Sequence, residues 1–360
     1  MKRVWVVIVL LASAVHSAFG SDLRTDVIED LDREVAPRSG APCPDSRAYS
    51  LTRPDPPGEP TVIGVGIFFQ DVASLSDVDQ TLDADIYVVA RWRDSRLADP
   101  ARGDTSADCP PPEGRLWMPA LEPESLRSRQ AFYPARFLVD SRGVITYARR
   151  LWLKVSYPLD FRDFPIDRHR WTITLWPVLS QADEILFHPL GRVTRMNDRV
   201  SIQGWRVGAP HAEASTGSRV ARAGTFARFD IWLDLERDWS YHAWKLGLPL
   251  MLIALMAYGV YFIPGTAVAQ QIGLGMTSML TLIAYMLTLG NTLPRISYLT
   301  RADRFFVGSA LVVFLGLVKA LLTAVLAQSP NAALVARADR WGRLAYPIVM
   351  LANFALAFLL

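Results

Sequence analysis

Residues 270–291 read QQIGLGMTSMLTLIAYMLTLGN, a run with no charged side chain and with polar residues at helical intervals. A helix needs about 20 mainly apolar residues to cross a bilayer, and this run is long enough. Steps of three and four residues select one stripe: Gln270, Gly273, Thr277, Leu280, Ala284, Leu287 and Asn291. The stripe is polar or small at one end, apolar in the middle and polar at the other end. Polar groups at membrane depth need a partner or water. Two arrangements meet that need. One is a buried helix whose small residues let its neighbours pack closely. The other is a helix that lines a water-filled pore. One such helix per chain cannot enclose a pore, so the second arrangement requires an oligomer. In a ring of copies, the Leu280 side chains would form a constriction that closes by dewetting.

Outward from this run, four apolar segments are expected, at about 243–263, 266–293, 305–327 and 341–360. The other three are rich in Leu, Ala, Val and Phe, as lipid-facing helices should be. Lys319 lies near the end of its segment, where it is expected to snorkel to the interface. The chain has 360 residues, 51% of them hydrophobic, and a net charge of +3. The apolar runs crowd into the last third, which predicts a water-facing domain followed by a membrane domain. The near-neutral balance gives no electrostatic reason to propose nucleic acid as a partner. Residues 1–20 have the pattern of a secretory signal: Lys2 and Arg3, an apolar stretch, then small residues before Ser21. Arginines fall equally in the loops on both sides, so the export signal sets the orientation.

Residues 21–35 place Leu23, Val27, Ile28, Leu31 and Val35 at helical spacing, which suggests a short amphipathic helix. Residues 36–60 are proline-rich and read as a linker or extended arm. From 61 to 240 short β-patterned runs alternate with Gly, Pro and Asp, as in an antiparallel sandwich. The two cysteines, Cys43 and Cys109, would both lie in an oxidising compartment, and their spacing leaves open whether they pair. It matches no metal or redox motif. His169, His188, His211 and His242 show no metal-ligand spacing. No GxSxG motif or phosphate loop occurs, so neither an enzyme nor a cofactor is expected.

Residues 157–167 read YPLDFRDFPID. This resembles the signature loop of the pentameric ligand-gated ion channels, the family of nicotinic, glycine and GABA-A receptors and their bacterial relatives. Pro158, Asp160, Phe161, Phe164, Pro165 and Asp167 match the motif. The two cysteines that close the loop in animal members are absent, as in bacterial members. Further stretches agree in order: IFFQDVASLSDVDQTLDADIYVVARW at 67–92, LWMPALE at 116–122, GLPLMLI at 247–253 and NTLPRISYLT at 291–300. The resemblance covers about residues 61–360.

The resemblance implies a β plus membrane-α chain: an extracellular β-sandwich, then a four-helix transmembrane bundle, assembled as a homopentamer with four identical subunits. It implies an agonist pocket between subunits, with Trp176, Phe226, His211 and Glu122 from one side and Tyr87 and Phe69 from the other. The agonist would be a small molecule, an amine being suited to aromatic rings beside a carboxylate, or protons. Strand alternation independently turns Trp176, Tyr87 and Phe226 away from the apolar faces of their strands. Gating in the family implies contact between Asp160, Phe161, Phe164 and Pro165 and the loop containing Pro294, with Asp79 and Arg237 as a nearby charge cluster. The other partners implied are permeant inorganic ions and membrane lipid. The expected location is a bacterial inner membrane, with the N-terminal domain in the periplasm. Cation-selective relatives usually have a glutamate where this chain has Gln270, and residues 257–302 contain no Asp or Glu. Helix N-termini at the inner mouth favour anions modestly, so weak, anion-leaning selectivity is expected. The competing reading is a membrane-anchored ligand sensor that does not conduct; the polar stripe argues against it.

Overall fold

A computed structural model of the chain describes residues 25–33, 35, 42–103, 106–112, 114–178, 180–219, 222–289, 296–326 and 332–359. The expected signal segment, Asn291 and Pro294 lie outside the described residues.

Alternation of apolar and polar side chains builds the extracellular half. The longer strands are β1 (Thr61–Ser76), β2 (Thr81–Arg93), β7 (Val144–Ser156), β8 (Arg168–Pro177), β11 (Trp205–Arg219) and β12 (Arg222–Arg237). The shorter ones are β3 (Ser106–Asp108), β4 (Leu121–Pro123), β5 (Leu126–Ala131), β6 (Arg136–Asp140), β9 (Ile185–Pro189) and β10 (Arg195–Met196). One sheet runs β10-β1-β2-β7-β6-β3, with β9 also on β1 and β5 also on β7; the other runs β11-β12-β8-β4. Their inner faces meet in one core. On β8 it receives Trp171, Ile173 and Leu175, and on β12 Ala227, Phe229, Ile231, Leu233 and Leu235. Burying each large apolar side chain stabilises the sandwich by about 1.5–3 kcal/mol.

The N-terminal extension folds onto this sandwich. Helix α1 (Thr25–Asp32) packs Val27 and Leu31 against Val62, Val144 and Leu190. Asp30 pairs with Arg142 at 2.5 Å and Arg93 at 3.6 Å. Cys43 and Cys109 are joined by a disulfide, which ties the proline-rich arm to the strand edge where the Cys109 N–H bonds the Phe137 carbonyl.

Among the described residues four helices are long and apolar enough to cross a membrane. They are α2 (Trp239–Tyr261), α3 (Val268–Leu289), α4 (Arg301–Leu326) and α5 (Ala332–Phe358). Helix α5 begins before the apolar run of the sequence because the charged stretch containing Arg337, Asp339 and Arg340 is itself helical. Helix α2 is not uniform. Ala243–Gly247 is a π-helical turn just before Pro249. Pro249 has no N–H to give the Lys245 carbonyl. The Tyr285 hydroxyl of α3 faces that carbonyl at 3.2 Å and the Leu246 carbonyl at 2.8 Å, so α3 supplies the missing donor. The snorkelling expected of Lys319 does not occur. Its side chain is 12% exposed and turns into the bundle to pair with Asp339, because a partner inside the protein replaces the headgroup region.

Candidate ligand site, coupling interface and pore

Helix α3 has two unlike faces. Gln271, Gly275, Ser278 and Leu282 are buried against the other helices of the chain. Gln270, Gly273, Thr277, Leu280, Ala284 and Leu287, the described part of the stripe, are all exposed in the isolated chain. Leu280 is 70% and Leu287 72% exposed. The hydroxyl groups are satisfied without leaving the helix: Thr277 donates to the Gly273 carbonyl and Thr288 to the Ala284 carbonyl. Thr277 therefore turns its oxygen lone pairs outward.

The signature loop docks on the start of α4. Thr300 caps this helix, exchanging hydrogen bonds with Asp303. The N–H groups of Arg301 and Ala302 donate to the carbonyls of Arg162 and Phe164 at 2.9 and 3.2 Å. Helix N–H groups that have no intrahelical partner are thus satisfied by the other domain. Phe161 is fully buried, and its N–H donates to the Tyr298 hydroxyl at 3.0 Å. Arg301 pairs with Asp163 at 2.7 Å. Asp160 pairs with Arg162 on the loop surface. Pro165 lines an apolar cavity of about 470 Å³ at the junction, with Phe305, Phe306, Phe354 and Phe358.

Beneath the loop lies Arg237, 3% exposed. It donates to both carboxylate oxygens of Asp167, at 2.7 and 3.0 Å, and to Asp77 at 2.7 and 3.2 Å. Its guanidinium stacks 4.1 Å from the centre of the Trp205 ring and 5.0 Å from that of Phe164. Asp167 also meets the His169 ring at 2.5 Å. Burial opposes the charge on Asp167, but the hydrogen bonds from His169 and Arg237 outweigh it and hold the carboxyl below its usual range. Burial likewise opposes the charge on Arg237, and its two carboxylates outweigh it. The sequence expectation of Asp79 in this cluster is corrected to Asp77. Asp79 is held by its own turn, its carboxylate accepting from the Ser76 hydroxyl.

Trp176 and Phe226 lie on the outer face of the smaller sheet, outside the core cluster, yet they are only 4% and 2% exposed. Arg219 and Arg228 cover Trp176, each guanidinium 5.7 Å from the ring centre. Arg219 reaches Glu122 at 3.8 Å and Arg228 reaches Asp230 at 2.7 Å. The Trp176 ring N–H donates to Glu124 at 3.3 Å. Gly217 is paired with Phe226, and a Cβ there would stand 3.1 Å from the Trp176 ring tip, so a larger residue would press on the ring. Tyr87 occupies the outer face of the other sheet. Arg150 lies 5.6 Å from its ring centre and 5.0 Å from that of Phe132. Arg150 is anchored by Asp85 at 2.6 Å, and that hydrogen bond raises its already high pKa. Two expected ligand residues are not brought here. Phe69 is fully buried because it follows Ile63, Val65 and Ile67 on the core face of β1; its neighbour Phe68 is the ring beside Tyr87. His211 stacks on Trp232, six residues along β12 from Phe226, which is about 20 Å at strand spacing.

Residues 47–216 match the model of the neurotransmitter-gated ion-channel ligand binding domain. Residues 246–352 match that of the neurotransmitter-gated ion-channel transmembrane region. The chain belongs to the neurotransmitter-gated ion-channel family. It is a multi-pass membrane protein and a ligand-gated ion channel subunit. Among its relatives is a proton-gated ion channel of Gloeobacter violaceus, 24% identical over 316 residues, 86% of each chain. Another is the gamma-3 subunit of the human gamma-aminobutyric acid receptor, 24% identical over 271 residues, which are 74% of this chain and 58% of that one. In this channel subunit the signature loop and the start of α4 bring the two domains into direct contact. Arg219, Arg228, Glu124 and Asp77 carry no sequence signal of these contacts. Their residue types are common at strand ends and turns, and only the fold brings them to Trp176 and Arg237.

Proposed function

We propose that the chain assembles as a homopentamer in a bacterial inner membrane, with the sandwich in the periplasm. In this reading a small cationic agonist, an amine, binds between neighbouring sandwiches and opens a central pore. The pore is lined by the Gln270, Gly273, Thr277, Leu280, Ala284 and Leu287 stripe. The agonist site takes Trp176, Phe226 and Glu122 from one subunit and Tyr87 from the next.

One observation carries the agonist class: Trp176 already bears cations. Around its ring stand two arginines, Arg219 and Arg228, and three carboxylates, Glu122, Glu124 and Asp230. Among the described residues these five groups sum to a formal charge of −1, which an ammonium ligand would balance. Arg219 has the weaker hold, since its carboxylate contact of 3.8 Å is long and Glu122 is 55% exposed. An amine that takes the place of Arg219 on Trp176 and Glu122 would gain cation–π attraction of about 0.5–2 kcal/mol. It would also free Arg219 at the end of β11 from Glu122. Tyr87 and Trp176 lie on outer faces of different sheets of one sandwich, so they share a ligand only where two subunits meet. That favours an intersubunit pocket.

Protons are the second reading, supported by the likeness to the proton-gated ion channel of Gloeobacter violaceus. Recording current from reconstituted protein while amines, amino acids, acids and pH are screened separates the two. Amine-evoked current at constant neutral pH supports the main reading. Current evoked only by acid replaces it.

A further inference from the structure

The inner end of the membrane bundle holds a buried polar cluster that takes no part in the ligand site or the coupling interface. Lys319 on α4 forms an ion pair with Asp339 on α5, their side chains 12% and 10% exposed. The same ammonium donates to the Gln271 side-chain carbonyl at 3.2 Å and lies 5.5 Å from the centre of the Tyr261 ring. Gln271 on α3 is fully buried, and its amide donates to the Ile263 carbonyl, just beyond α2, at 2.6 Å. Arg343 on α5 donates to the Tyr261 carbonyl at 2.9 Å. Gly342 lets α5 come this close, because a Cβ there would stand 2.2 Å from the Tyr261 ring. The cluster thus ties all four membrane helices together at one level.

Charges at membrane depth are costly and persist when paired. Here the pair reaches α3 at Gln271, directly after Gln270, the first residue of the exposed stripe. Successive helical residues point about 100° apart. Gln270 therefore faces outward while Gln271 is gripped from behind.

We propose that Lys319 is a positioning residue of the pore: neutralised by Asp339, it holds Gln271 and with it the first turn of α3, so that α5 governs the shape and field of the inner mouth. The inference rests on α3 lining the pore. Two consequences are opposite in sign. Asp339→Asn leaves an unpaired ammonium behind the mouth. Lys319→Met leaves an unpaired carboxylate there and frees the Gln271 carbonyl. A role confined to folding would not produce shifts of opposite sign.

The test measures reversal potentials in dilution gradients, together with unitary conductance, on reconstituted full-length channels. Asp339→Asn is expected to move the cation-to-anion permeability ratio at least twofold toward anions, and Lys319→Met at least twofold toward cations. The exchanged pair, Lys319→Asp with Asp339→Lys, should return the ratio close to that of the unmodified channel. Shifts of the same sign, or unchanged ratios, overturn the proposal. If the single variants fail to assemble, Gln271→Leu decides. It keeps the ion pair and cuts the link, and should change unitary conductance twofold or more; unchanged conductance overturns the proposal. Leu280→Thr serves as the control. If it alters gating while the Lys319, Asp339 and Gln271 variants are silent, only this inference fails. If Leu280→Thr is silent as well, the pore assignment of α3 fails.

Discussion

Replacing Asp167 with asparagine keeps the shape of the side chain and removes its charge from the cluster beneath the signature loop. Arg237 then loses the partner that is 1% exposed and keeps Asp77, which is 21% exposed. Breaking a buried ion pair from one side costs about 3–5 kcal/mol. Asparagine still accepts one hydrogen bond and Asp77 still balances the charge, so a cost of about 3 kcal/mol, at the lower end, is expected. For a domain of this size that is a fall of roughly 6–12 °C in the thermal midpoint. Asp77→Asn should cost less, about 1 kcal/mol, because water already reaches that carboxylate. The assay is thermal unfolding of the purified channel in mild detergent, at several pH values. The native pKa of Asp167 is lowered. Its contribution is therefore fully present above the unfolded value of about 3.9 and is lost only as pH falls through the lower native value. The gap between unmodified protein and Asp167→Asn should not narrow from pH 7 to pH 5. A larger effect of Asp77→Asn, no measurable effect of Asp167→Asn, or a gap that narrows by pH 5 would refute the reasoning.

Other outcomes follow from the same geometry. Trp176→Phe should weaken amine activation about tenfold, since Trp is the strongest cation–π ring, and Glu122→Gln should weaken it further without loss of assembly; dose–response curves and native mass spectrometry check both. Leu280→Thr should lower the half-activating agonist concentration about tenfold, equivalent to about 1.4 kcal/mol, because a hydroxyl ring wets more easily than a leucine ring. Gln270→Glu should shift permeability toward cations, read as a change in reversal potential in a dilution gradient.

The membrane half was readable because its signals are local. Within α3, residues spaced by three and four turn to one side whatever surrounds the helix, so the stripe from Gln270 to Leu287 and the exposed face coincide. The faces of β8 and β12 were readable for a similar reason: one side is apolar and the other is not. Strand β1 defeats that rule. Val62 packs against α1 while Ile63, Val65 and Ile67 fill the core, so both faces are apolar and alternation does not tell Phe68 from Phe69. The place of His211 depends on how far the β11–β12 hairpin extends and on the register shift between Val207 and Pro210, neither of which leaves a sequence signal. Lys319 and Asp339 are 20 residues apart on different helices. Their pairing belongs to helix packing, so a lysine near a helix end reads as snorkelling until its partner is placed.

Cysteine substitution along α3 tests the central claim, that agonist opens a pore lined by one face of this helix. The chain's own cysteines are bonded to each other, so a single introduced thiol reports alone. A charged thiol reagent applied to agonist-activated channels should block current when cysteine replaces Gly273, Thr277, Leu280, Ala284 or Leu287. It should leave current unchanged at Gly275, Ser278 and Leu282, which are buried in the subunit. Block at the buried positions, or at none of the stripe, would contradict the account.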